Sequence, residues 1–160
     1  MNAEQSANLR ALLTGRVTAA LGTLHAGAPY VSMVPFALLA DLPAFVIHVS
    51  RLAAHTGDML AEPRVSLLIN AGEQAGASPL ALPRVTLLGT AQPLAHDAPE
   101  YPAARQAYIA RFPEAAAMFN LGDFSLFIIT PTEARWIAGL AQARTLTPAA
   151  LARALQDGEE

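Results

Sequence analysis

The stretch VIHVSRLAAHTGDMLAEPRVSLL, residues 46–68, decides the predicted fold. It begins inside an apolar, β-branched strand, AFVIHV (44–49), and ends in a second strand, RVSLLINA (64–71). The residues between the two strands predict a short helix, for which Ser50 is a fair N-cap and Pro63 a stop. The centre of the chain is therefore expected to fold as strand, short helix and strand.

The N-terminal part of the chain adds one helix and two strands to this centre. Leucines recur on one face of residues 2–14, which predicts a helix. VTAALGTL (17–24) and YVSMVPFAL (30–38) are typical of strands. Short turns at 25–29 and 40–43 connect them to each other and to the central strand, so the three strands form an antiparallel meander.

The C-terminal part continues the antiparallel pattern after a loop of small residues. RVTLLGTAQPL (84–94) predicts a strand, and Gly89 inside it indicates a bulge or a barrel corner. Residues 98–119 are predicted as helix with a break near a proline. FSLFIITP (124–131) predicts another strand, which EARWIAGL (133–140) could continue.

These elements give a mainly β chain with helices. The expected architecture is a six- to seven-stranded antiparallel barrel, since no alternation of strand and helix suggests a parallel sheet. One domain is expected over residues 1–160, with an N-terminal helix at 1–14 and a C-terminal helix and tail at 147–160.

Composition restricts the class of function. Hydrophobic residues make up 53% of the 160 residues and charged residues only 14%, which favours a buried interface and a homodimer. A net charge of −3 argues against binding to nucleic acid. The polar N-terminus is unlike a signal peptide, and glycines and prolines interrupt the long uncharged stretch at 17–40, so a cytoplasmic protein without a membrane span is expected.

The reactive side chains are few. The chain contains neither cysteine nor lysine, so it offers no thiol nucleophile and no Schiff base. The four histidines lack the spacing of metal ligands, and no metal site is expected; His25 and His96 lie in polar turns where solvation is the simplest expectation. No catalytic residue can be assigned, which indicates a binding protein or one whose chemistry comes from a cofactor.

The central helix is a candidate phosphate site. Ser50 ends a strand, and His55 and Thr56 follow near the first turn of the helix, where N–H groups and the helix dipole favour an anion. The alternative is an N-cap followed by a surface helix, and residue types alone favour that alternative.

Several motifs in a fixed order carry a resemblance to a known family. The segments Ser50–Leu60, Glu62–Leu68, Pro83–Gly89 and Gly122–Ala143 match the patterns LAxHTxNL, DPRxSLL, PRVTLxG and GDFxLYxxxxxxARxVGGFGxA. Over roughly residues 10–146 the chain resembles the FMN-binding split-barrel family of pyridoxamine 5'-phosphate oxidase-like proteins, and most closely its haem-utilisation (HugZ-like) branch. The stretch Gly57-Asp58-Met59 departs from the pattern.

The resemblance implies a homodimer with an FMN cleft between the two chains. It places the backbone of Ser32, Met33, Val34 and Pro35 along the flavin ring. It assigns the FMN phosphate to Ser50, His55 and Thr56.

The resemblance also implies flavin contacts from the second half of the chain. Arg84 would reach the flavin or its ribityl chain, Trp136 would border the flavin from the partner chain, and Arg144 would lie nearby. Two of these residues have a structural alternative: Arg84 as an edge-strand salt bridge, and Trp136 as an interface or core aromatic. Barrel core is likewise the alternative for the side chains of Met33 and Val34.

The sequence therefore leaves three functional hypotheses. The first is an FMN-dependent oxidoreductase acting on an unidentified small molecule. The second is a haem-utilisation protein that binds or degrades haem, although the sequence lacks the C-terminal extension that helps the larger members bind haem. The third is a non-catalytic flavin-binding protein.

Overall fold

The structure, a computed structural model, describes residues 1–39 and 42–156. The helices of this part are α1 (Ala3–Gly15), α2 (Ala54–Ala61), α3 (Tyr101–Arg111) and α4 (Pro148–Gln156). The strands are β1 (Thr18–His25), β2 (Ala28–Pro35), β3 (Ala37–Leu38), β4 (Phe45–Ser50), β5 (Arg64–Asn70), β6 (Arg84–Pro93), β7 (Phe124–Ile137) and β8 (Ala143–Leu146). Short 3₁₀ segments cover Pro79–Ala81 and Pro113–Asn120. Part of the predicted turn at 40–43 and the last four residues of the predicted tail lie outside the described residues.

The strands form one antiparallel sheet that curls into a half-barrel. Their order is β2-β1-β5-β6-β7-β4-β3, and β8 adds to β7. The short helix α2 connects β4 to β5, as the central stretch of the sequence predicts. The predicted fold class, an antiparallel split barrel with flanking helices, is confirmed.

Two details of the predicted strands differ from the structure. The strand expected over 30–38 is interrupted at Phe36, whose ring is fully buried and whose backbone N–H donates to the carbonyl of Val17. The chain therefore leaves β1 at this point and pairs with β4 through the short strand β3. The four-residue strand β8 was not predicted, because it is too short to show an alternating pattern.

A bulge in β7 lies opposite Gly89 of β6. The pairing register shifts between Leu88 and Gly89, where Thr132 is the extra residue of β7, so the predicted irregularity occurs at this glycine but the bulged residue is in the neighbouring strand. A Cβ atom at Gly89 would lie only 2.7 Å from the carbonyl oxygen of Thr130, so the close approach of the two strands requires glycine here.

Side chains alternate between the two faces of the curled sheet. The inner face carries the main apolar core, which α1 and α4 also join through Leu9, Leu13 and Leu151. We call the opposite face of β2, β1, β5 and β6 the outer face. On this face, the strand pairing places Val31, Gly22, Ser66 and Leu88 in one row across the four strands. A second row contains Met33, Ala20 and Leu68. No helix of the described part of the chain is long and apolar enough to cross a membrane.

A second, smaller core lies beneath α3. It includes Val46 of β4, Tyr108 of α3 and Leu126 of β7. His48 of β4 is buried beside it, with its ring stacked on that of Phe119 at a centroid distance of 3.9 Å. Burial lowers the pKa of His48 to about 4, so this imidazole is neutral at physiological pH.

The burial of His48 predicts a loss of stability in mild acid. The unfolded chain takes up a proton near pH 6.5 while the folded protein takes it up only near pH 4, so acidification between these values favours unfolding. We expect the free energy of unfolding to fall by about 1–3 kcal/mol over this interval. In His48→Phe, which keeps the stacking on Phe119, chemical denaturation at a series of pH values should show a flatter profile. An identical slope in the variant would contradict this assignment.

Candidate functional site

The candidate site lies at the edge of the sheet formed by strand β2. Helix α2 packs against β1 and buries Thr56 and Met59 against the sheet. This packing brings His55, at the start of α2, against β2, where the Oγ of Ser32 lies 3.0 Å from the Nδ1 of His55. Burial lowers the pKa of His55, and the nearby carboxylate of Asp58 offsets only part of this effect. Ser32 and His55, both predicted cofactor-binding residues, are therefore neighbours.

A second histidine is held at the same edge by a buried carboxylate. The Nδ1 of His25, the last residue of β1, lies 2.7 Å from the Oδ1 of Asp58, and the hydroxyl of Thr23 donates to the Oδ2 at 2.9 Å. Burial acts to raise the pKa of Asp58, but the hydrogen bonds from His25 and Thr23 outweigh it and hold the pKa below its usual range. Because an ionised carboxylate only accepts hydrogen bonds, Nδ1 of His25 donates in this contact, and in the neutral imidazole Nε2 then holds the lone pair.

His25 remains accessible despite this contact. Its side chain is 57% exposed, whereas that of Asp58 is 6% exposed. The half-exposed ring of Tyr30 lies beside it, at a centroid distance of 5.5 Å. We call His25, Asp58, Tyr30, Ser32 and His55 the β2 edge site. The expectation that His25 is merely solvated is incomplete, because one of its two nitrogens has a fixed partner.

Two residues predicted to bind phosphate serve the local structure of α2. The hydroxyl of Thr56 is buried and donates to the carbonyl of Ser50 at 2.6 Å. The hydroxyl of Ser50 accepts from the backbone of Leu52 at 3.1 Å and donates to Asp123 at 3.4 Å. The N-cap of α2 is Ala53, which makes no side-chain cap hydrogen bond, so the prediction of Ser50 as N-cap is wrong: the chain makes one more turn after Ser50 before the helix begins. Of the predicted phosphate residues, Ser50 and His55 are half-buried and Thr56 is buried.

The remaining residues of β2 divide between the two faces of the sheet. Met33 is 66% exposed on the outer face, while Val34 is buried in the main core. Pro35 ends the strand opposite Thr18. Val34 therefore fits the alternative of barrel core, and Met33 does not.

The residues in the second half of the chain that were predicted to contact the flavin lie away from the β2 edge site of the same chain. Arg84 donates to the carbonyls of Leu82 at 2.9 Å and Leu80 at 3.3 Å, so it fastens the loop before β6 and forms no salt bridge with any described residue. Arg144 is exposed on β8. Both are separated from β2 by β1, β5 and other strands of the sheet.

Trp136 is fully buried in the main core of its own chain. Among the described residues, its indole nitrogen has no hydrogen-bond partner. This position favours the interpretation of a core aromatic over that of a residue that borders a cofactor from the partner chain.

Sequence reasoning missed His25 and Asp58 as a pair. They are 33 residues apart, and only the packing of α2 on β1 joins them. The departure of residues 57–59 from the family pattern drew attention to Asp58 but not to its contact with His25, and the structure places Asp58 on the buried side of α2. Within the described residues, no group of three or more potential ligands is arranged to hold a metal ion by itself.

Comparison with known proteins identifies the class that this fold and site define. The family model for pyridoxamine 5'-phosphate oxidase matches residues 6–138. The chain therefore belongs to the pyridoxamine 5'-phosphate oxidase family, and the resemblance noted from the sequence is confirmed.

Within this family, the chain is similar to several proteins whose names refer to haem. It is 38% identical over 138 residues to the chloroplastic haem oxygenase HOZ of Arabidopsis thaliana, covering 84% of this chain and 40% of the relative. A haem-binding protein of Mycobacterium smegmatis is 32% identical with a TM-score of 0.81, over 92% of this chain and 60% of that one. The haem storage protein HutZ of Vibrio cholerae is 25% identical with a TM-score of 0.65, over 82% of this chain and 91% of that one. The chain thus spans less than two thirds of the first two relatives.

Proposed function

We propose that the chain is a haem-utilisation protein that binds haem at the β2 edge site, with Nε2 of His25 as the ligand of the iron. The observation that carries this proposal is the pair formed by His25 and Asp58. Histidines that bind metals usually donate their other ring N–H to a carboxylate or carbonyl, which fixes the tautomer and orients the ring. His25 has this arrangement, and its second nitrogen belongs to an exposed ring.

The surroundings of His25 also fit haem. The negative charge of Asp58 beside the imidazole favours the binding of positively charged ferric iron. Tyr30 offers an aromatic surface beside His25 for an apolar macrocycle. Bound haem would supply an iron atom for oxygen chemistry, and the residues of the chain would hold and orient it.

The relatives support haem as the ligand. All three described above carry haem in their names, as a haem oxygenase, a haem-binding protein and a haem storage protein. Because this chain spans only 40% of the plant oxygenase, haem binding is the central proposal and haem degradation an extension of it.

Titration of the purified protein with haemin tests the proposal. We expect a saturable Soret band at a stoichiometry near one haem per chain, with a position typical of histidine-ligated iron. FMN serves as the comparison ligand under the same conditions. Binding of FMN without saturable binding of haemin would overturn the proposal.

A flavin-dependent oxidoreductase acting on a small molecule is the second candidate. The contact between Ser32 and His55 favours it, because it places a hydroxyl and an imidazole at the start of α2, where helix N–H groups attract a phosphate. FMN would then bind more tightly than riboflavin. The variant His55→Gln would lower the affinity for FMN and leave the affinity for riboflavin unchanged. Equal affinities for FMN and riboflavin would reject this candidate. If FMN binds without turnover of any substrate, the non-catalytic flavin-binding protein is the function that fits.

We propose in addition that two chains form a homodimer through the outer face. Val31 and Met33 are 69% and 66% exposed, and the exposed side chains of Leu68 and Leu88 lie across the same strands. Several exposed apolar side chains on one face of a sheet are typical of an interface. Two copies of β2 near such an interface would leave a cleft for haem or FMN between the chains.

Charged residues on the outer face should therefore separate the dimer. We expect the double variant Val31→Lys, Leu88→Lys to be a folded monomer at micromolar concentration, because desolvation of two lysines at the interface opposes association. Light scattering and circular dichroism measure mass and fold. Met118→Lys is the matched control, since Met118 is also an exposed apolar residue but lies in the 3₁₀ segment Pro113–Asn120. A double variant that stays dimeric would show that the interface lies elsewhere.

A further inference from the structure

A separate cavity lies beneath α3, away from the β2 edge site. Its volume is about 360 Å³, at the lower end of the range typical of small-molecule sites. It opens between the ends of β4 and β6, the start of β7 and the 3₁₀ segment Pro113–Asn120. None of the residues of the β2 edge site lines it.

His48 presents a polar group to this cavity. His48 is only 8% exposed. Among the described residues, no side chain forms a hydrogen bond with its ring nitrogens. Stacking on Phe119 fixes the plane of the ring. Because the ring nitrogens of His48 are not fully enclosed by protein, they remain accessible to a ligand in the cavity.

Arg51 adds a positive charge to the same cavity. It directly follows β4, and its Nε donates to the hydroxyl of Ser125 in a long contact of 3.4 Å. No Asp or Glu side chain among the described residues lines the cavity. The nearby carboxylate of Asp123 accepts from the hydroxyl of Ser50 instead.

Apolar and aromatic side chains form much of the remaining wall, beside the polar residues Asn120 and Ser125. Leu94, Leu126, Phe119 and Phe124 contribute to it, and Tyr101 and His96 stand together at one side with ring centroids 4.7 Å apart. Such a wall suits a flat hydrocarbon body better than a hydrated inorganic ion.

We propose that this cavity binds a small aromatic carboxylate. The guanidinium of Arg51 pairs with the carboxylate, the N–H of His48 donates to it, and the ring of the ligand packs on the apolar wall. This site would act beside the haem site and does not depend on the proposed function.

Calorimetric titration with benzoate tests the proposal, and benzyl alcohol serves as the uncharged comparison. We expect saturable binding of benzoate and at least about tenfold weaker binding of benzyl alcohol. Arg51→Gln should weaken benzoate binding by about tenfold or more, and His48→Phe by about threefold to tenfold. Arg153→Gln, which changes an exposed arginine on α4, is the matched control and should bind as the unchanged protein does.

Arg51→Gln changes an exposed residue. The test therefore remains valid even if the buried substitution His48→Phe disturbs the fold. Absence of saturable heat at millimolar benzoate would overturn the proposal. The same conclusion follows if Arg51→Gln and Arg153→Gln bind benzoate equally, or if inorganic phosphate competes as well as benzoate does. Haemin titration of Arg51→Gln should give the same result as the unchanged protein, which keeps this outcome distinct from that of the haem site.

Discussion

Replacement of Trp136 by alanine is expected to lower the free energy of unfolding by about 3–5 kcal/mol. The side chain is fully buried in the main core, and its removal leaves a cavity that neighbours such as Val85 cannot fill without moving the sheet. Chemical denaturation followed by circular dichroism measures the change. Arg144→Ala is the control, because Arg144 pairs with Trp136 across β7 and β8 but is exposed, and it should change stability by less than about 0.5 kcal/mol.

Trp136→Phe separates the core role from a role at the cofactor. Phenylalanine keeps an apolar aromatic side chain and removes an indole nitrogen that has no described partner, so we expect a smaller loss of stability. The affinities for haemin and FMN should stay unchanged. A weaker affinity at unchanged stability would contradict the core interpretation and support the contact with cofactor implied by the family.

Replacement of His25 by alanine is expected to weaken haem binding by on the order of 100-fold or more. Changes to the partner of a metal ligand commonly cost 10–100-fold in affinity, and loss of the ligand itself should cost at least as much. Asp58→Asn, which keeps the shape and removes the charge, should therefore weaken haem binding by about 10–100-fold. Absorbance titration with haemin measures both variants.

His96→Ala is the matched control for the His25 variant. His96 is an exposed histidine in the loop after β6, and it contacts Tyr101 rather than a residue of the β2 edge site. Its loss should leave haem affinity unchanged. An equal loss of affinity in the two histidine variants would indicate nonspecific binding of haem to surface imidazoles.

Much of the fold could be predicted because its signals are local. The alternating strands, Pro63 at the end of α2 and Gly89 at the bulge each act through nearby residues, and all appear in the structure. The interruption at Phe36 was not predictable in this way. It depends on a ring that enters the core between β1 and β4, which only the folded sheet defines.

The candidate site was predicted in part, for a related reason. Ser32 and His55 came from family motifs, and the structure does bring them together. The residue types of Ser50 and Thr56 suggested phosphate, but their hydroxyls are engaged within the start of α2. The pairing of His25 with Asp58 depends on how α2 packs against β1, and no pattern in the sequence specifies that contact.

Rescue of a His25→Gly variant by imidazole tests the central claim most directly. If His25 supplies the ligand of the haem iron, the haemin-loaded variant should lose the histidine-type Soret band, and free imidazole should restore it by occupying the vacated position. The His96→Ala variant should show the band of the unchanged protein with or without imidazole. A His25→Gly variant that keeps the original Soret band without imidazole would contradict the proposal that haem binds through His25.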